Sequence, residues 1–309
     1  MTSLTVTLPI GVAVLERGWL SSNNVVLSGA PGEPTTLVDS GYCTHGPQTV
    51  ALVRRHLAGR RLHTVINTHL HSDHCGGNAL LQSAFGARVA IPPGEAEAAT
   101  QWDMSRLSYE ATGQRCERFK VDKVVAPGDV FDIAGRYWQV LAAPGHDPHS
   151  IMLFSPEEQL LISADALWQN GFGVVFPEIE GETAFREVRA TLDLIAALDS
   201  TVVIPGHGSP FRDVEAALER AYRRLESFEA SPDKHGWYAG KALAKFHLLE
   251  VQQEPLDEML RWLADTPYFQ LIHTRYFRGI NYASWSQRII EELQKSRAVT
   301  VSNGVVFNT

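Results

Sequence analysis

Cysteine is scarce in this chain of 309 residues, which contains only Cys43, Cys75 and Cys116. An odd number of scattered cysteines does not suit a disulfide framework, so a reducing compartment is expected. The N-terminal segment lacks a basic start, since its first charged residue is Glu16 and Pro9 interrupts its apolar stretch. A signal peptide is therefore not expected, and the sequence predicts a cytoplasmic protein.

Long hydrophobic runs and an excess of positive charge are also missing. No uninterrupted apolar run reaches the roughly 18 residues that a membrane-spanning helix needs, so no membrane span is predicted. Lys and Arg number 27 against 35 Asp and Glu, for a net charge of −8. Bulk electrostatics therefore make a nucleic acid or an anionic membrane an unexpected partner. Gly-x-Ser-x-Gly, Walker A and His-Glu-x-x-His motifs are absent too, which removes three common kinds of catalytic site.

Short β-branched runs bounded by Gly, Pro or Asp recur along the first two thirds of the chain, and they predict strands. The runs are Val25–Leu27, Thr36–Val38, Thr64–Ile66, Arg88–Ile91, Tyr137–Leu141, Ile151–Phe154, Leu160–Ile162 and Thr201–Ile204. Segments with helical spacing lie between them, at Thr49–Leu57, Asn78–Phe85 and Phe185–Leu198. This order favours a layered α/β domain over an all-β sandwich.

The pattern changes after Pro210. A long helix is predicted over Val214–Phe228, and Ser231–Asp233 breaks it before a connector at His235–Trp237. Three further helical patterns follow, at Ala242–Val251, Leu256–Leu263 and Ser284–Leu293. The chain ends in two alternating runs around Asn303-Gly304, a strong hairpin signal. We therefore predict a core domain over residues 1–232 and a winged-helix-like module over residues 233–309.

The most informative segment is Thr68-His69-Leu70-His71-Ser72-Asp73-His74, directly after the predicted strand Thr64–Ile66. Three imidazoles and a carboxylate within six residues would be costly to bury without partners. Imidazole and carboxylate together suit zinc and related divalent ions. Three later runs also end in a metal donor: Pro144-Gly145-His146, Ser163-Ala164-Asp165 and Pro205-Gly206-His207. Strand ends are where an α/β scaffold holds loop residues rigidly enough to form a site.

This set of motifs resembles the metallo-β-lactamase superfamily, whose signature is His-x-His-x-Asp-His followed by His, Asp and His. The resemblance spans about residues 10–210 and implies a four-layer αβ/βα sandwich. It also implies two metal ions, one held by His69, His71 and His146 and the other by Asp73, His74 and His207, with Asp165 between them. Asp39 matches an early strand-end aspartate that supports the site without binding metal.

The resemblance implies a hydrolase in which a hydroxide between two metal ions attacks an ester, lactone or thioester of a small molecule. Asp73 would orient that hydroxide and carry its proton. Asp165 disfavours antibiotic hydrolysis, since true β-lactamases of the superfamily lack a carboxylate at this position. Two alternatives stay open: a persulfide dioxygenase with one iron ion, and a nucleic-acid-binding regulator or nuclease that uses the C-terminal module.

Three residues are candidates for the substrate pocket: Trp168 and Phe172, which follow Asp165, and His149, three residues after His146. Zinc is the expected metal, and iron and manganese accept similar ligands. A homodimer is considered for the case in which the terminal module exposes an apolar face.

Overall fold

The computed structural model describes residues 6–30, 32–133 and 135–309. The first five residues, on which part of the signal-peptide prediction rests, lie outside the described residues. Within those ranges, no helix combines the length and the apolar character that crossing a membrane requires.

A first sheet contains strands β1 to β6, and each strand pairs with the next along the chain. Pairing is antiparallel from β1 to β3 and parallel from β3 to β6. The strands are β1 Val12–Leu15, β2 Asn24–Ser28, β3 Thr35–Val38, β4 Leu62–Ile66, β5 Arg88–Ile91 and β6 Lys123–Val124.

A second sheet has the order β11-β10-β9-β8-β7. Strands β7 to β10 are antiparallel neighbours, whereas β11 runs parallel to β10. The strands are β7 Val130–Ile133, β8 Arg136–Ala142, β9 Ile151–Ser155, β10 Leu160–Ala164 and β11 Val202–Pro205. Each of the eight strands predicted from the sequence overlaps an observed strand of one of the two sheets.

Helices cover the outer faces of both sheets. They are α1 Gly46–Leu57, α2 Ser72–Cys75, α3 Asn78–Phe85, α4 Ala96–Gln101, α6 Phe185–Ala197 and α7 Val214–Ala230, with a 3-10 turn at Cys43–His45. A further short helix, α5 Phe176–Glu180, packs against the C-terminal core. Their ends follow local chemistry: Pro47 lies in the first turn of α1, and Gly86 ends α3 with a φ of 63°.

Alternating side chains divide the core into layers. In β2, Val26 packs with the helices outside the first sheet, whereas Val25 and Leu27 face the second sheet. In β10, Leu161 packs with α6 and α7, whereas Leu160 faces the first sheet. Because strand side chains alternate between faces, each sheet buries one face against helices and the other against its partner. The result is the four-layer αβ/βα sandwich.

The C-terminal region continues with helices α8 Pro232–Val251, α9 Leu256–Asp265, α10 Pro267–Tyr276 and α11 Tyr282–Lys295. Strands β12 Gln253–Pro255, β13 Val299–Ser302 and β14 Val305–Asn308 form a third sheet, and Asn303-Gly304 joins β13 to β14. The N-cap of α11 is Asn281, whose side chain accepts bonds from the backbone N–H groups of Ala283 and Ser284.

The predicted connector at His235–Trp237 is wrong, because α8 runs through it without interruption. Gly236 is present for packing: a Cβ atom there would lie 2.7 Å from the Tyr276 ring on α10. The helices and the hairpin of the predicted winged-helix-like module are present. Its winged-helix identity, the domain boundary at residue 232 and a homodimer stay predictions.

Candidate metal centre

Polar side chains follow the carboxyl ends of five strands, and the sandwich brings them together. The pairs are β3 and Asp39, β4 and the segment His69–His74, β8 and His146, β10 and Asp165, and β11 and His207. A strand fixes the start of the loop that follows it, so these loops can place donors far apart in sequence at one position.

The predicted metal ligands gather into two adjacent groups. Within each group, the donor atoms (one from each residue) lie within 4.8 Å of one another. The first group is His69, His71 and His146, and the second is Asp73, His74, Asp165 and His207. The structure therefore brings together the residues that the resemblance assigns to each metal ion.

Asp165 lies between the two groups. Its Oδ2 is 3.4 Å from Nε2 of His146 in the first group, and its Oδ1 is 3.4 Å from Nε2 of His74 in the second. Nε2 of His207 is 3.9 Å from Oδ2. A carboxylate in this position can offer one oxygen to each of two metal ions.

Hydrogen bonds on the far side of two imidazoles set their orientation. Nδ1 of His74 lies 2.8 Å from Oδ2 of Asp39, and Nδ1 of His146 lies 2.5 Å from the carbonyl oxygen of Val174. In a neutral ring that donates from Nδ1, Nε2 carries the lone pair that can bind metal. In the structure, Nε2 of His146 lies 2.8 Å from Nδ1 of His71. Asp39 also accepts bonds from the backbone N–H and the hydroxyl of Thr68, both at 2.9 Å.

The donor set fits divalent metal ions. Nε2 of His69 is buried, and it has no hydrogen-bond partner among the described residues. Buried polar atoms are normally satisfied, and a metal ion would satisfy this one. Imidazole and carboxylate are donors that zinc, iron and manganese accept.

The electrostatics of the site favour the donor form of most of its side chains. Burial, with the imidazole of His74, lowers the pKa of His69 well below its ordinary value, and burial, with His146, lowers the pKa of His71 to about 4. Both rings are neutral at pH 7, as ligands must be. Burial alone would raise the pKa of Asp165, but His74 and the neighbouring imidazoles hold it well below its ordinary value.

His74 differs from these rings. Burial lowers its pKa, but Asp165, Asp39 and Asp73 outweigh this effect and raise it well above its ordinary value. The metal-free protein therefore keeps a proton on His74, which a metal ion would have to displace. Three carboxylates around one ring mark a position where positive charge is stabilised.

Glycine is required at two positions beside the ligands. A Cβ atom on Gly206 would lie 2.1 Å from Oδ1 of Asp165, and a Cβ atom on Gly173 would lie 2.4 Å from Nδ1 of His146. Only a residue without a side chain leaves room for these donors. Close packing therefore explains why glycine directly precedes His207.

The family model described as the metallo-beta-lactamase superfamily matches residues 17–207, which include every member of both donor groups. The chain belongs to the metallo-beta-lactamase superfamily. Within it, a hydroxyacylglutathione hydrolase from Rhizobium meliloti (strain 1021) is 33% identical over 157 residues, which are 51% of this chain and 51% of that protein. Another from Rhodobacter capsulatus is 37% identical over 160 residues, or 51% and 53%. The chain spans about half the length of these curated relatives.

Solved structures of similar fold agree with this membership. A metallo-beta-lactamase family protein from Thermus thermophilus matches with a TM-score of 0.57 at 20% identity, over 98% of this chain and 100% of that chain. A protein solved in a di-iron-bound form matches with a TM-score of 0.53 at 23% identity, over 68% of this chain and 98% of that chain. At these identities the likeness concerns the fold, and the predicted superfamily fold is confirmed.

A cavity of about 450 Å³ opens over the ligands, and Trp168 lines it. The indole Nε1–H of Trp168 donates to Oδ1 of Asp165 at 3.1 Å, and its ring contacts His207 edge-on. The other two pocket candidates lie elsewhere. Phe172 is 1% exposed and packs in the core against Phe228. His149 is exposed and lines a neighbouring cavity of about 300 Å³.

Two parts of the cavity wall carry no signal in the sequence. Trp19, in the loop before β2, stacks on the ring of His207 with centroids 5.1 Å apart. An isolated aromatic residue in a loop has no periodic pattern that would reveal it. Helix α8 contributes Phe246 and Leu249. The helical spacing of this segment was recognisable, but not which face would lie over a site more than 30 residues away in the chain.

Proposed function

We propose that this chain is a dinuclear metal-dependent hydrolase that cleaves the acyl bond of a small thioester, ester or lactone. The observation that carries the proposal is the position of Asp165, whose two oxygens face two different groups of metal donors below a cavity. The relatives named hydroxyacylglutathione hydrolase support a thioester as the first substrate class to test.

Zinc is the metal we propose first. One ion would be held by His69, His71 and His146, the other by Asp73, His74 and His207, and both by Asp165. When bound, two such ions lower the pKa of a shared water to about 7 and polarise a substrate carbonyl. Iron and manganese accept the same donors, and the neighbouring structure with two iron ions is a reason to assay for iron.

Asp73 and Trp168, which line the cavity beside the donor groups, would position the reacting groups. The side chain of Asp73 is 13% exposed, and its Oδ2 lies 3.0 Å from Nε2 of His207. This contact holds the carboxylate at the edge of the cavity, where it can orient an attacking water and carry a proton to the leaving group. The indole of Trp168 fixes Oδ1 of Asp165 in the same way.

The test combines metal analysis with activity. Protein purified without added metal is analysed by inductively coupled plasma mass spectrometry and assayed on thioester, ester, lactone and phosphodiester substrates. We expect about two metal ions per chain and hydrolysis of an acyl substrate, with both reduced in Asp165→Ala. Asp132→Asn, which changes an exposed carboxylate on β7, is the matched control and should keep both.

Three results would contradict the proposal. One iron ion per chain, with oxygen consumed on glutathione persulfide, would assign the protein to the dioxygenase alternative. A protein that takes up no metal after reconstitution with zinc, iron or manganese would not be a metallohydrolase. Cleavage of phosphodiesters alone would favour the nuclease alternative.

A further inference from the structure

The cavity over the ligands has a polar floor and an apolar wall. Side chains of both donor groups form the floor, while Trp19, Phe176 and one face of helix α8 form much of the wall. Its volume of about 450 Å³ lies in the range of about 300–1,000 Å³ that is typical of small-molecule sites. The wall can therefore surround a bound organic group.

Helix α8 supplies an apolar stripe to this wall. The stripe consists of residues spaced four, four and three positions apart, which share one face of a helix: Tyr238, Ala242, Phe246 and Leu249. The other face of α8 is fully buried in the C-terminal core, through Ala244 and Leu248. Phe246 and Leu249 are only half-buried, so α8 leaves apolar surface facing the cavity.

The two cationic side chains at the cavity direct their donors toward the protein itself. The ammonium group of Lys245 donates to the carbonyl oxygens of Ala298 and Thr309 and to the side-chain oxygen of Asn308, at 2.5, 3.1 and 2.5 Å. An ammonium group has three donors, so this one is fully used. A substrate with free carboxylates would have to break these bonds to be paired by Lys245.

Arg224 also directs donors into the protein. It donates to the carbonyl oxygen of Phe172 at 2.9 Å and to that of Asn170 at 2.7 Å. Its guanidinium also lies over the ring of Tyr238, 5.1 Å from the centroid. The wall therefore offers little to an anionic substrate group and much to an apolar one.

Trp19 extends the apolar surface to the edge of the cavity. Its side chain is 54% exposed, although one face stacks on His207 and its edge meets Trp168. A large exposed aromatic ring beside a site is a common feature of ligand recognition. It places apolar surface within reach of any acyl group whose carbonyl sits over the ligands.

We propose that the acyl group of the substrate is an extended apolar chain, held between Trp19 and the α8 stripe, so that the enzyme prefers medium-chain acyl thioesters to short or hydroxylated ones. This proposal rests on the hydrolase function proposed above. It assigns substrate choice to Ala242, Phe246 and Leu249, which lie outside the residues matched by the superfamily model.

The experiment uses metal-loaded protein and a series of N-acetylcysteamine thioesters, whose thiol part carries no charge. The acyl groups are acetyl, butanoyl, hexanoyl, octanoyl and lactoyl. Burial of one methylene group is worth about fourfold in binding, and each unbranched step adds two, so kcat/KM should rise by up to about 15-fold at each step until the cavity is filled. The lactoyl thioester should be cleaved more slowly than the butanoyl one.

Ala242→Trp tests the wall directly, because it fills the cavity without changing a ligand. We expect kcat/KM for the octanoyl thioester to fall at least tenfold, while that for the acetyl thioester changes less than about threefold. Ala196→Trp, on the exposed face of α6, is the matched control. If Ala242→Trp does not fold, Leu249→Ala replaces it and should lower the octanoyl rate about fivefold relative to acetyl.

Binding separates the two proposals. Calorimetry on metal-free protein should give at least tenfold tighter binding of octanamide than of butanamide. If this difference is found but no thioester, ester or lactone is cleaved, the hydrolase proposal fails and the apolar site stands. Equal kcat/KM for acetyl and octanoyl thioesters, equal binding of the two amides, or an equal loss for all substrates in a folded wall variant would overturn the apolar preference and leave hydrolysis standing.

Discussion

The floor of the cavity is polar and comes from loops at four strand ends, whereas the wall is largely apolar and is built around a single helix. Floor side chains are held by several contacts each: Asp165 meets both donor groups and the indole of Trp168. Wall side chains such as Phe246 and Leu249 are half-buried and face open space. Changes in the floor should therefore remove the reaction, and changes in the wall should alter which substrate is used.

The strongest test of the floor is Asp73→Asn, which keeps the size of the side chain but removes its charge. Because the proposed roles of Asp73 are metal binding and proton transfer, we expect kcat to fall by about 10²–10⁴-fold. Steady-state kinetics on protein of measured metal content check this, with Asp132→Asn as the control. A loss of less than tenfold would remove Asp73 from the proposed chemistry.

Asp39→Asn should have the next largest effect. Asp39 holds Nδ1 of His74 and two donors of Thr68, and loss of such support typically weakens metal binding about 10–100-fold. Competition with a chromophoric chelator measures the affinity of each ion, and the ion at His74 should be affected more. Thr68→Val removes one contact of Asp39 and should show a smaller change; equal affinities in wild type and Asp39→Asn would contradict the assignment.

His235 links helix α8 to the loop that holds His146, and its protonation should make the free energy of unfolding depend on pH. It lies on α8 and its Nε2 accepts the backbone N–H of Val175, next to the carbonyl that holds His146. Burial, with the charge of Arg275, lowers its pKa to about 4. The unfolded chain, with a pKa of about 6.5, binds a proton that the folded chain excludes. The stabilisation is therefore full above pH 6.5 and is lost as the pH falls toward 4.

The expected size of this effect follows from the two pKa values. Between pH 7 and pH 5, the free energy of unfolding should fall by about 2 kcal/mol more in the wild type than in His235→Gln. Urea unfolding at the two pH values measures the difference. Identical pH dependence in both proteins would mean that His235 is not buried as a neutral ring.

Trp168→Phe should give the smallest effect, since it removes one hydrogen bond and keeps an aromatic ring beside His207. Loss of the donor to Oδ1 of Asp165 is expected to lower kcat/KM by about tenfold or less. If Trp168→Phe is as damaging as Asp73→Asn, the indole has a larger part in the floor than its single bond to Asp165 indicates.

The floor could be predicted from the sequence because its chemistry is local. Four of the seven proposed ligands lie within six residues, and the other three each follow a recognisable strand. The strand and helix pattern predicted only a layered α/β domain, and the four-layer sandwich followed from the resemblance of the motifs. Val25, Val26 and Leu27 are all apolar, so the sequence does not show that Val26 faces the helices and its two neighbours face the second sheet.

The wall could not be predicted, because it depends on how distant segments pack. Gly236 is typical of a helix break, yet here it allows α10 to approach α8. Helix α10 is not among the helices predicted from the sequence, because its aromatic residues have no strict helical period. Phe172 and Trp168, four residues apart, point to the core and to the cavity respectively, and no pattern in the sequence distinguishes them.

The two faces of helix α8 have a practical consequence for engineering. One face is fixed by the C-terminal core, whereas the stripe that lines the cavity includes no proposed ligand, so Ala242, Phe246 and Leu249 could be randomised together while the helix keeps its packing. The ligand loops, which all precede α8, would keep their sequence. Such a library would combine one reaction with many specificities, and selection on acyl length would act on three positions of one helix.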